Sequence, residues 1–319
     1  MCLHPYAGWL RYDAFVKFRM HPRVHHALET HQAVVALEST VISHGLPHPH
    51  NLRLARSLEH IVRNAGAVPA TIAVLAGTVV VGLEDHELEQ LAAEPAHKAS
   101  LWNLPALISQ GQNAATTVAT TLHIAAHVGI KVFSTGGIGG VHSEAFDESA
   151  DLLALARYPL AVVCAGAKSV LNVAATLERL ETLGVPVIGY QSNYLAGFHV
   201  PETDLPLAAR CEDAQALAHC FMTQRSLGYK HAMLVSKPVL QGLAAEEVAR
   251  WKDQAHHDLV TRGITGKDVT PFLLERFAEL SQGRTIDVNI RLLEENAQLA
   301  AEIALALGRL HADPSYAVT

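Results

Sequence analysis

The chain has few cysteines and no excess of basic residues, and these two features argue against several classes of protein. It has only four cysteines in 319 residues, and no two are spaced as CxxC, so the pattern indicates reduced thiols rather than a disulfide framework or a zinc site. Its 24 Lys and Arg are outnumbered by 31 Asp and Glu, and no stretch is strongly basic, so nucleic acid is not a predicted partner. No window reaches the roughly 18 uncharged apolar residues of a membrane span, and the first 20 residues lack the continuous apolar core of a signal peptide. These features predict a cytoplasmic protein without a membrane partner.

Apolar, strand-like runs alternate with helical patterns along most of the chain. Near-continuous apolar strands that alternate with helices are typical of a mostly parallel sheet covered on both faces. The predicted fold class is therefore α/β, as a three-layer α/β/α structure with a mostly parallel central sheet. We predict a single catalytic domain over residues 21–312, an aromatic-rich N-terminal extension at 1–20 and a C-terminal tail at 313–319.

Polar or glycine-rich residues follow four of the predicted strands, at 38–40, 134–137, 165–168 and 190–192. Ligands of parallel sheets bind beyond the carboxyl ends of the strands. We therefore expect these four segments to form one shared site.

Two of these strand ends carry ionisable side chains. Glu38 is interpreted either as a solvated strand end or as a general acid. Lys168 stands at the start of a helical pattern over 168–184, where a lysine can contact a phosphate or act as a nucleophile that forms a Schiff base with a sugar. The absence of a GxxxxG phosphate loop weakens the phosphate interpretation. Lys98 has no role by pattern beyond that of a solvated lysine.

The densest group of functional residue types is STGGIGGVHSEAFDESADL, residues 134–152. Its glycines can present backbone N–H groups to an anion, but it contains neither a dinucleotide GxGxxG nor a Walker GK[ST]. Carboxylates at Asp147, Glu148 and Asp151 follow His142, and such oxygen ligands suit Mn²⁺ or Mg²⁺ better than zinc. The alternative is that Asp147 or Ser149 caps a helix.

Eight longer segments occur in a fixed order between about residues 22 and 308. They are VVALESTVISHGLP, AVPATIAVLAGTVVVGL, NAATTVATT, KVFSTGGIGGVH, FDESADL, VVCAGAKS, GVPVIGYQ and TPFLL. In order and spacing they resemble the pseudouridine-5′-phosphate glycosidase family. The resemblance implies an α/β/α fold, a homotrimer, and one divalent ion per subunit, typically Mn²⁺. It also implies reversible cleavage of the C–C glycosidic bond of pseudouridine 5′-phosphate, which yields uracil and ribose 5-phosphate.

The resemblance further implies roles for individual residues. Glu38 matches the proton donor, Lys168 the Schiff-base nucleophile and Asp147 the metal ligand. The implied substrate contacts, with the phosphate as the partner of Lys98, are Lys98, Val118, His142, Ser149, Ala150, Asp151 and Asn289.

Three features depart from the family pattern, and three other functions stay open. The segment 143–145 is short, Ser236-Lys237-Pro238-Val239 stands where members often have Asn-Pro-Ile-Pro, and residues 1–20 are additional. One alternative is a C-glycoside synthase that joins ribose 5-phosphate to another acceptor. Another is a non-catalytic phosphosugar-binding protein, against which the presence of both Glu38 and Lys168 argues. The third is a metal-dependent phosphosugar hydrolase, which would release phosphate.

Overall fold

Strands from both halves of the chain build one central sheet. The structure, a computed structural model, describes residues 16–46, 48–142, 147–264 and 269–312. The strands in these ranges are β1 (Phe18–Met20), β2 (Val34–Leu37), β3 (Val68–Leu75), β4 (Thr78–Val81), β5 (His97–Ala99), β6 (Ala114–Thr116), β7 (Val132–Ser134), β8 (Ala161–Cys164), β9 (Val187–Tyr190), β10 (Tyr194–Gly197), β11 (Val200–Pro206), β12 (Ala209–Cys211) and β13 (Met233–Ser236). The helices are α1 (Pro22–Glu29), α2 (Thr40–His44), α3 (His50–Asn64), α4 (Asp85–Ala93), α5 (Leu104–Ser109), α6 (Val118–His127), α7 (Ala150–Arg157), α8 (Val173–Thr182), α9 (Ala214–Ser226), α10 (Ala245–Arg262), α11 (Val269–Leu280) and α12 (Arg284–Ala312).

The main sheet runs in the order β1-β4-β3-β2-β7-β8-β13-β9-β12, with β6 paired to β3 and β5 paired to β6. Every pairing from β3 to β12 along this order is parallel. Only β4 and β6 pair antiparallel with β3 in this sheet, as far as the described residues extend. Strands β10 and β11 form a separate antiparallel hairpin. The predicted mostly parallel sheet is confirmed.

Helices cover both faces of the sheet. In β2, Val34 and Ala36 pack into the core formed with α1, α6, α7 and α8, whereas Val35 and Leu37 pack against α3, α9 and α12. Successive strand residues point to opposite faces, so two-sided burial requires an apolar side chain at every position. The predicted three-layer α/β/α architecture is confirmed. None of the helices in the described ranges has the length and hydropathy of a membrane span.

The predicted N-terminal extension ends before residue 18 in the structure. Phe18–Met20 form β1 and pair in parallel with β4. Val16, Phe18 and Met20 pack on the core, and they alternate with charged Lys17 and Arg19. This period of two is the pattern of a half-buried edge strand. The first fifteen residues and the tail at 313–319 lie outside the described residues, so the rest of the domain division stays a prediction.

The helix predicted from residue 168 begins five residues later. Helix α8 starts at Val173, with Asn172 as N-cap accepting a hydrogen bond from the Ala175 backbone N–H at 3.0 Å. Before it, Ala167 forms a parallel bridge with Ile138. The chain after β8 therefore runs beside the glycine-rich loop and leaves Lys168 in a loop, away from any helix terminus.

Helix α12 runs along one face of the sheet, from the carboxyl ends of the central strands toward their amino ends. Near its start, the Leu292 and Leu293 side chains crowd Gly136, which follows the carboxyl end of β7. Farther along, Gly308 lies near the His31 carbonyl, which precedes β2. The helix thus runs antiparallel to the central strands, and its first turns lie beyond their carboxyl ends.

Gly166 occupies a position that only glycine fits. Its φ is +87°, and a Cβ there would lie 2.1 Å from the Ala196 carbonyl oxygen of the β10–β11 hairpin. The hairpin is held at this point by a 2.9 Å hydrogen bond from the Phe198 N–H to the Ala165 carbonyl. A side chain at 166 would therefore push the hairpin away from the end of β8.

We expect Gly166→Ala to lower the free energy of unfolding by about 3 kcal/mol or more, because backbone strain and a main-chain clash add. Gly184→Ala is the matched control, since Gly184 has φ +73° but open space around a Cβ, and it should cost only about 1 kcal/mol. Urea unfolding of the two variants measures the difference. Equal stability of the two would contradict the clash.

Candidate active site

Three polar strand ends meet at neighbouring positions of the sheet. Strands β2, β7 and β8 are consecutive and parallel, so their carboxyl ends bring Glu38, Thr135 and Lys168 to one edge. The fourth predicted end, Tyr190–Ser192, follows β9, which β13 separates from β8. At about 4.8 Å per strand it lies about 10 Å to the side.

Glu38 is half-buried and held between two hydroxyl groups. Thr135, which is buried after β7, donates to Oε1 of Glu38. On the other carboxyl oxygen, Thr40 Oγ1 lies 2.6 Å from Oε2. The carboxyl group is therefore fixed in orientation, as a proton donor must be.

Lys168 is fixed by its backbone on both sides. Its N–H donates to the Ile138 carbonyl at 3.1 Å, and its own carbonyl accepts from the Leu171 N–H at 3.0 Å. The next residue, Ser169, is buried with its Oγ 2.7 Å from Nδ1 of His199. Burial lowers the pKa of His199 to about 3, so this imidazole is neutral at physiological pH. The half-exposed Lys168 side chain extends from a rigid support.

Lys98 reaches the same site from β5. Its side chain is accessible to solvent, but protein surrounds it closely enough that burial lowers its pKa, and the charge of Lys168 lowers it further. The negative charge of Asp151, and that of Glu38 when it is ionised, opposes this shift. These mutual effects mean that the predicted residues 38, 98, 151 and 168 share one electrostatic environment.

Asp151 is a buried carboxylate with a structural task. Its Oδ1 accepts the Ala119 N–H at 2.9 Å and its Oδ2 accepts the Gly139 N–H at 2.8 Å. Both oxygens thus bind backbone, and the carboxylate joins the glycine-rich loop to the first turn of α6. Charge-assisted bonds of this kind offset the cost of burying the charge.

The neighbours of Asp151 take positions typical of a helix start. Ser149 is the N-cap of α7, and its Oγ accepts the Asp151 N–H at 3.2 Å, so the capping alternative holds for Ser149. Ala150 is the first residue of α7. Val118 begins α6 with its side chain buried in the core, so any contact between Val118 and a substrate would come from its backbone.

His142 and Asp147 lie together at the mouth of the site. The His142 N–H donates to the Asp147 carbonyl at 2.9 Å, and His142 Nδ1 lies 3.9 Å from Asp147 Oδ2. Burial lowers the pKa of His142, Asp147 opposes the shift, and His256, Lys168 and Lys98 add to it. Residues 143–146 lie outside the described residues.

Asn296 is the site residue that sequence reasoning missed. It is buried on α12, and its Nδ2 donates to the carbonyls of Thr135 at 2.9 Å and Gly136 at 3.4 Å. Its Oδ1 is buried without a hydrogen-bond partner in the described chain. The predicted residue, Asn289, lies two helical turns earlier on the same face, about 10 Å along the axis. The structure therefore attaches Asn296 to the end of β7, whose Thr135 contacts Glu38, and the substrate contact at Asn289 stays a prediction.

Comparisons with known proteins identify the family and the fold of the chain. A family model described as "Indigoidine synthase A like protein" matches residues 23–306. The pseudouridine-5′-phosphate glycosidase of Thermus thermophilus is 53% identical over 276 residues, which cover 86% of this chain and 98% of that protein. The chain belongs to the pseudouridine-5′-phosphate glycosidase family. Another relative of that name, from Symbiobacterium thermophilum, is 48% identical over 90% of this chain and 96% of its own length.

Solved structures similar to this member of the glycosidase family share its fold over nearly their whole length. A prealnumycin C-glycosynthase in complex with ribulose 5-phosphate superimposes with a TM-score of 0.86 and 35% identity, covering 93% of this chain and 98% of that chain. An indigoidine synthase A-like protein from Thermotoga maritima also has a TM-score of 0.86, with 33% identity and coverages of 94% and 99%. The family resemblance predicted from the eight segments is confirmed.

We expect Asn296→Ala to destabilise the protein by about 1–3 kcal/mol, because two backbone carbonyls lose a buried donor. It should also reduce kcat/KM, since the strand end that carries Thr135 is released. Asn289→Ala, on the same helix face, is the control and should have smaller effects on both quantities. A larger loss of activity in Asn289→Ala would instead support the prediction made from sequence.

Proposed function

We propose that this protein catalyses the reversible cleavage of the C–C glycosidic bond of pseudouridine 5′-phosphate to uracil and ribose 5-phosphate. The observation that carries the proposal is that Glu38 and Lys168 follow β2 and β8, the two strands that flank β7, at one edge of the sheet, and that both act electrostatically on Lys98, in a chain 53% identical to a glycosidase of that name. A fixed carboxyl group and a lysine side chain at one edge of a sheet are the two groups that Schiff-base chemistry on a sugar requires.

The bond that breaks explains why this pair differs from that of ordinary glycosidases. Those enzymes protonate a leaving oxygen and use two carboxyl groups, whereas here the leaving atom is uracil C5. In the proposed reaction Glu38 donates a proton to the ribose ring oxygen as the Lys168 amine bonds to C1′ and opens the ring. The C1′–C5 bond then breaks with its electron pair on C5, which takes up the proton that the Lys168 nitrogen releases, and a lysine–sugar iminium remains. Water hydrolyses the iminium to ribose 5-phosphate and free Lys168, and the proton released returns to Glu38.

Binding of the substrate rests on the groups around this pair. Lys98 offers a positive charge to the 5′-phosphate beside the N-terminus of α6, where backbone N–H groups favour an anion. Asp151 holds that helix end and the glycine-rich loop together. Ser149, Ala150 and His142 border the same loop. A phosphate so bound would fix the distance from C1′ to the Lys168 amine.

We also propose that the protein binds a divalent ion, for which Mn²⁺ is the first candidate. Within the described ranges no group of three or more His, Cys, Asp or Glu side chains could enclose a metal, but Asp147 presents a carboxylate that is 41% exposed. A single open carboxylate suits an ion that keeps most of its waters, as hard divalent cations do. Asp147 would hold the ion, which when bound would supply positive charge to the polar edge of the uracil base.

The assembly and location of the protein are also inferred from the family. We propose a homotrimer with one ion per subunit in the cytoplasm. The buried Cys164 thiol, whose pKa burial raises to about 12, is consistent with unreactive cysteines in a reducing compartment.

Incubation of the protein with pseudouridine 5′-phosphate and Mn²⁺ should release uracil, and a chelator should reduce the rate. Borohydride added during turnover should trap ribose phosphate on Lys168, which peptide mass spectrometry can locate. Lys168→Ala should abolish both release and trapping, whereas Glu38→Gln should slow release by a factor of about 100 or more. Full activity of Lys168→Ala would disprove the Schiff-base route.

Lys98→Met should raise KM for pseudouridine 5′-phosphate about 10- to 100-fold, because a charge-assisted contact to the phosphate is lost. The Lys98 pKa lies below the ordinary 10.5; the cation is present below that lowered pKa and lost above it. KM of the wild type should therefore rise with pH in the alkaline range, while KM of Lys98→Arg should not. A similar alkaline rise in Lys98→Met would show that another group binds the phosphate.

A second candidate function is C-glycoside synthesis with an acceptor other than uracil. The similarity to a C-glycosynthase at 35% identity favours it, and it would need the same Glu38 and Lys168. Coupling assays with ribose 5-phosphate separate the two functions, because the glycosidase prefers uracil over other aromatic or heterocyclic acceptors.

A further inference from the structure

Thr40 lies between two oxygen atoms that both need its single hydroxyl hydrogen. Its Oγ1 is 2.6 Å from Oε2 of Glu38 and 2.7 Å from the carbonyl oxygen of Thr116. Both are short hydrogen-bond distances. A hydroxyl group donates one hydrogen, so only one of the two oxygens can receive it.

The Thr116 carbonyl is the more favourable acceptor of that hydrogen. A carbonyl oxygen can only accept, and the Ser39 N–H approaches the Thr116 carbonyl only to 3.4 Å, a long distance for a hydrogen bond. If Thr40 donates to Thr116, the 2.6 Å contact with Glu38 is favourable only when Oε2 itself carries a hydrogen. If Glu38 is ionised instead, the Thr40 hydrogen turns to Oε2 and two oxygen lone pairs face each other across 2.7 Å at Thr116.

We infer that Thr40 is a positioning residue that keeps the acid proton of Glu38 on Oε2 until the sugar arrives. In the resting protein Glu38 Oε2–H donates to Thr40, and Thr40 donates to the Thr116 carbonyl. Thr135 donates to the other oxygen, Oε1, so that oxygen is the acceptor. The geometry thus selects both the acid form of Glu38 and the oxygen that bears the proton.

The inference rests on the proposed function, in which Glu38 protonates the ribose ring oxygen. When the proton leaves Oε2 for the sugar, the Thr40 hydrogen turns from the Thr116 carbonyl to Oε2 and stabilises the new carboxylate. No proton leaves Thr40. When Oε2 is protonated again, the hydroxyl returns to Thr116, so one rotation accompanies each half of the cycle.

The other titratable groups near this pair remain unchanged when Thr40 is replaced. Lys98 of β5 acts on Glu38 electrostatically, and Lys168 and Asp151 act on Lys98 in turn. His44, at the end of α2, is within reach of Lys98. The Thr135 hydroxyl after β7 and the Thr116 backbone carbonyl of β6, which contact Glu38 and Thr40 respectively, do not titrate. Differences between Thr40 variants therefore report the hydroxyl itself.

The test compares Thr40→Val, which keeps the shape, with Thr40→Ser, which keeps the hydroxyl. A hydrogen bond accepted from the neutral carboxyl favours the acid form, so Thr40→Val should move the alkaline fall of kcat/KM for uracil release to lower pH by about 0.5 to 1 unit. Thr40→Ser should restore the wild-type profile. If Thr40 merely donates to an ionised Glu38, the shift in Thr40→Val will be upward, and that result or no shift overturns the proposal.

Thr120→Val is the matched control. Thr120 is buried nearby on α6, and its hydroxyl donates to the Ala99 carbonyl at 2.9 Å without contacting Glu38. Its removal costs a similar hydrogen bond, so stability should fall while the pH profile stays in place. A downward shift as large as that of Thr40→Val would show a general structural effect and overturn the proposal.

Infrared difference spectra of the resting protein test the same point without turnover. Subtraction of Glu38→Gln from the wild type at neutral pH should reveal the carbonyl stretch of a protonated carboxyl group. When the pH is raised, the band should give way to carboxylate bands at the wild-type pH in Thr40→Ser and about 0.5 to 1 pH unit lower in Thr40→Val. Its absence from the wild type, or its loss at the wild-type pH in Thr40→Val, overturns the proposal. Failure of the protein to release uracil would refute the proposed function but leave this spectral result decisive for Thr40.

Discussion

The site depends on one buried carboxylate that binds two backbone N–H groups. Asp151 is only 6% exposed, and a charge so placed is stable only where donors replace its water. The donors are the backbone N–H groups of Ala119 in α6 and Gly139 in the glycine-rich loop. Because Asp151 itself belongs to α7, its two hydrogen bonds fix α6, α7 and the loop relative to each other. That loop in turn pairs with the segment carrying Lys168 through Ile138 and Ala167. The position of Lys168 therefore depends on the hydrogen bonds that satisfy the buried charge of Asp151 on α7.

The three layers of the fold, and the edge of the sheet at which the candidate site lies, could be predicted from the sequence. Apolar runs such as β2 and β8 indicate strands buried on both faces, and parallel strands bring their carboxyl ends together. The pattern after β8 was misleading because Val170 and Leu171 fit a helical period while pairing with the glycine-rich loop holds Lys168 outside the helix. In the structure the helix begins only after Asn172, whose side chain caps its first turn.

Asn296 could not be placed from the sequence because its partners are distant along the chain. Its bonds to Thr135 and Gly136 span 161 and 160 residues. Only one local signal existed, a polar residue within the buried apolar face formed by Leu292, Leu293 and Ala297. The departure at Ser236-Lys237 also has a structural account. Ser236 Oγ accepts the Ala196 N–H at 2.9 Å, and Lys237 Nζ binds Glu295 on α12 at 2.7 Å, so both residues tie neighbouring elements to the site.

The length and direction of α12 have a consequence for the order in which the protein matures. Chains fold during synthesis from the N-terminus, and the strands that carry Glu38 and Lys168 leave the ribosome well before residues 284–312. Until α12 docks, one face of β2, β7 and β8 lacks part of its cover, and the Thr135 carbonyl lacks its Asn296 donor. A nascent chain thus holds Glu38 and Lys168 in an unfinished sheet, and the candidate site is complete only after α12 has been synthesised.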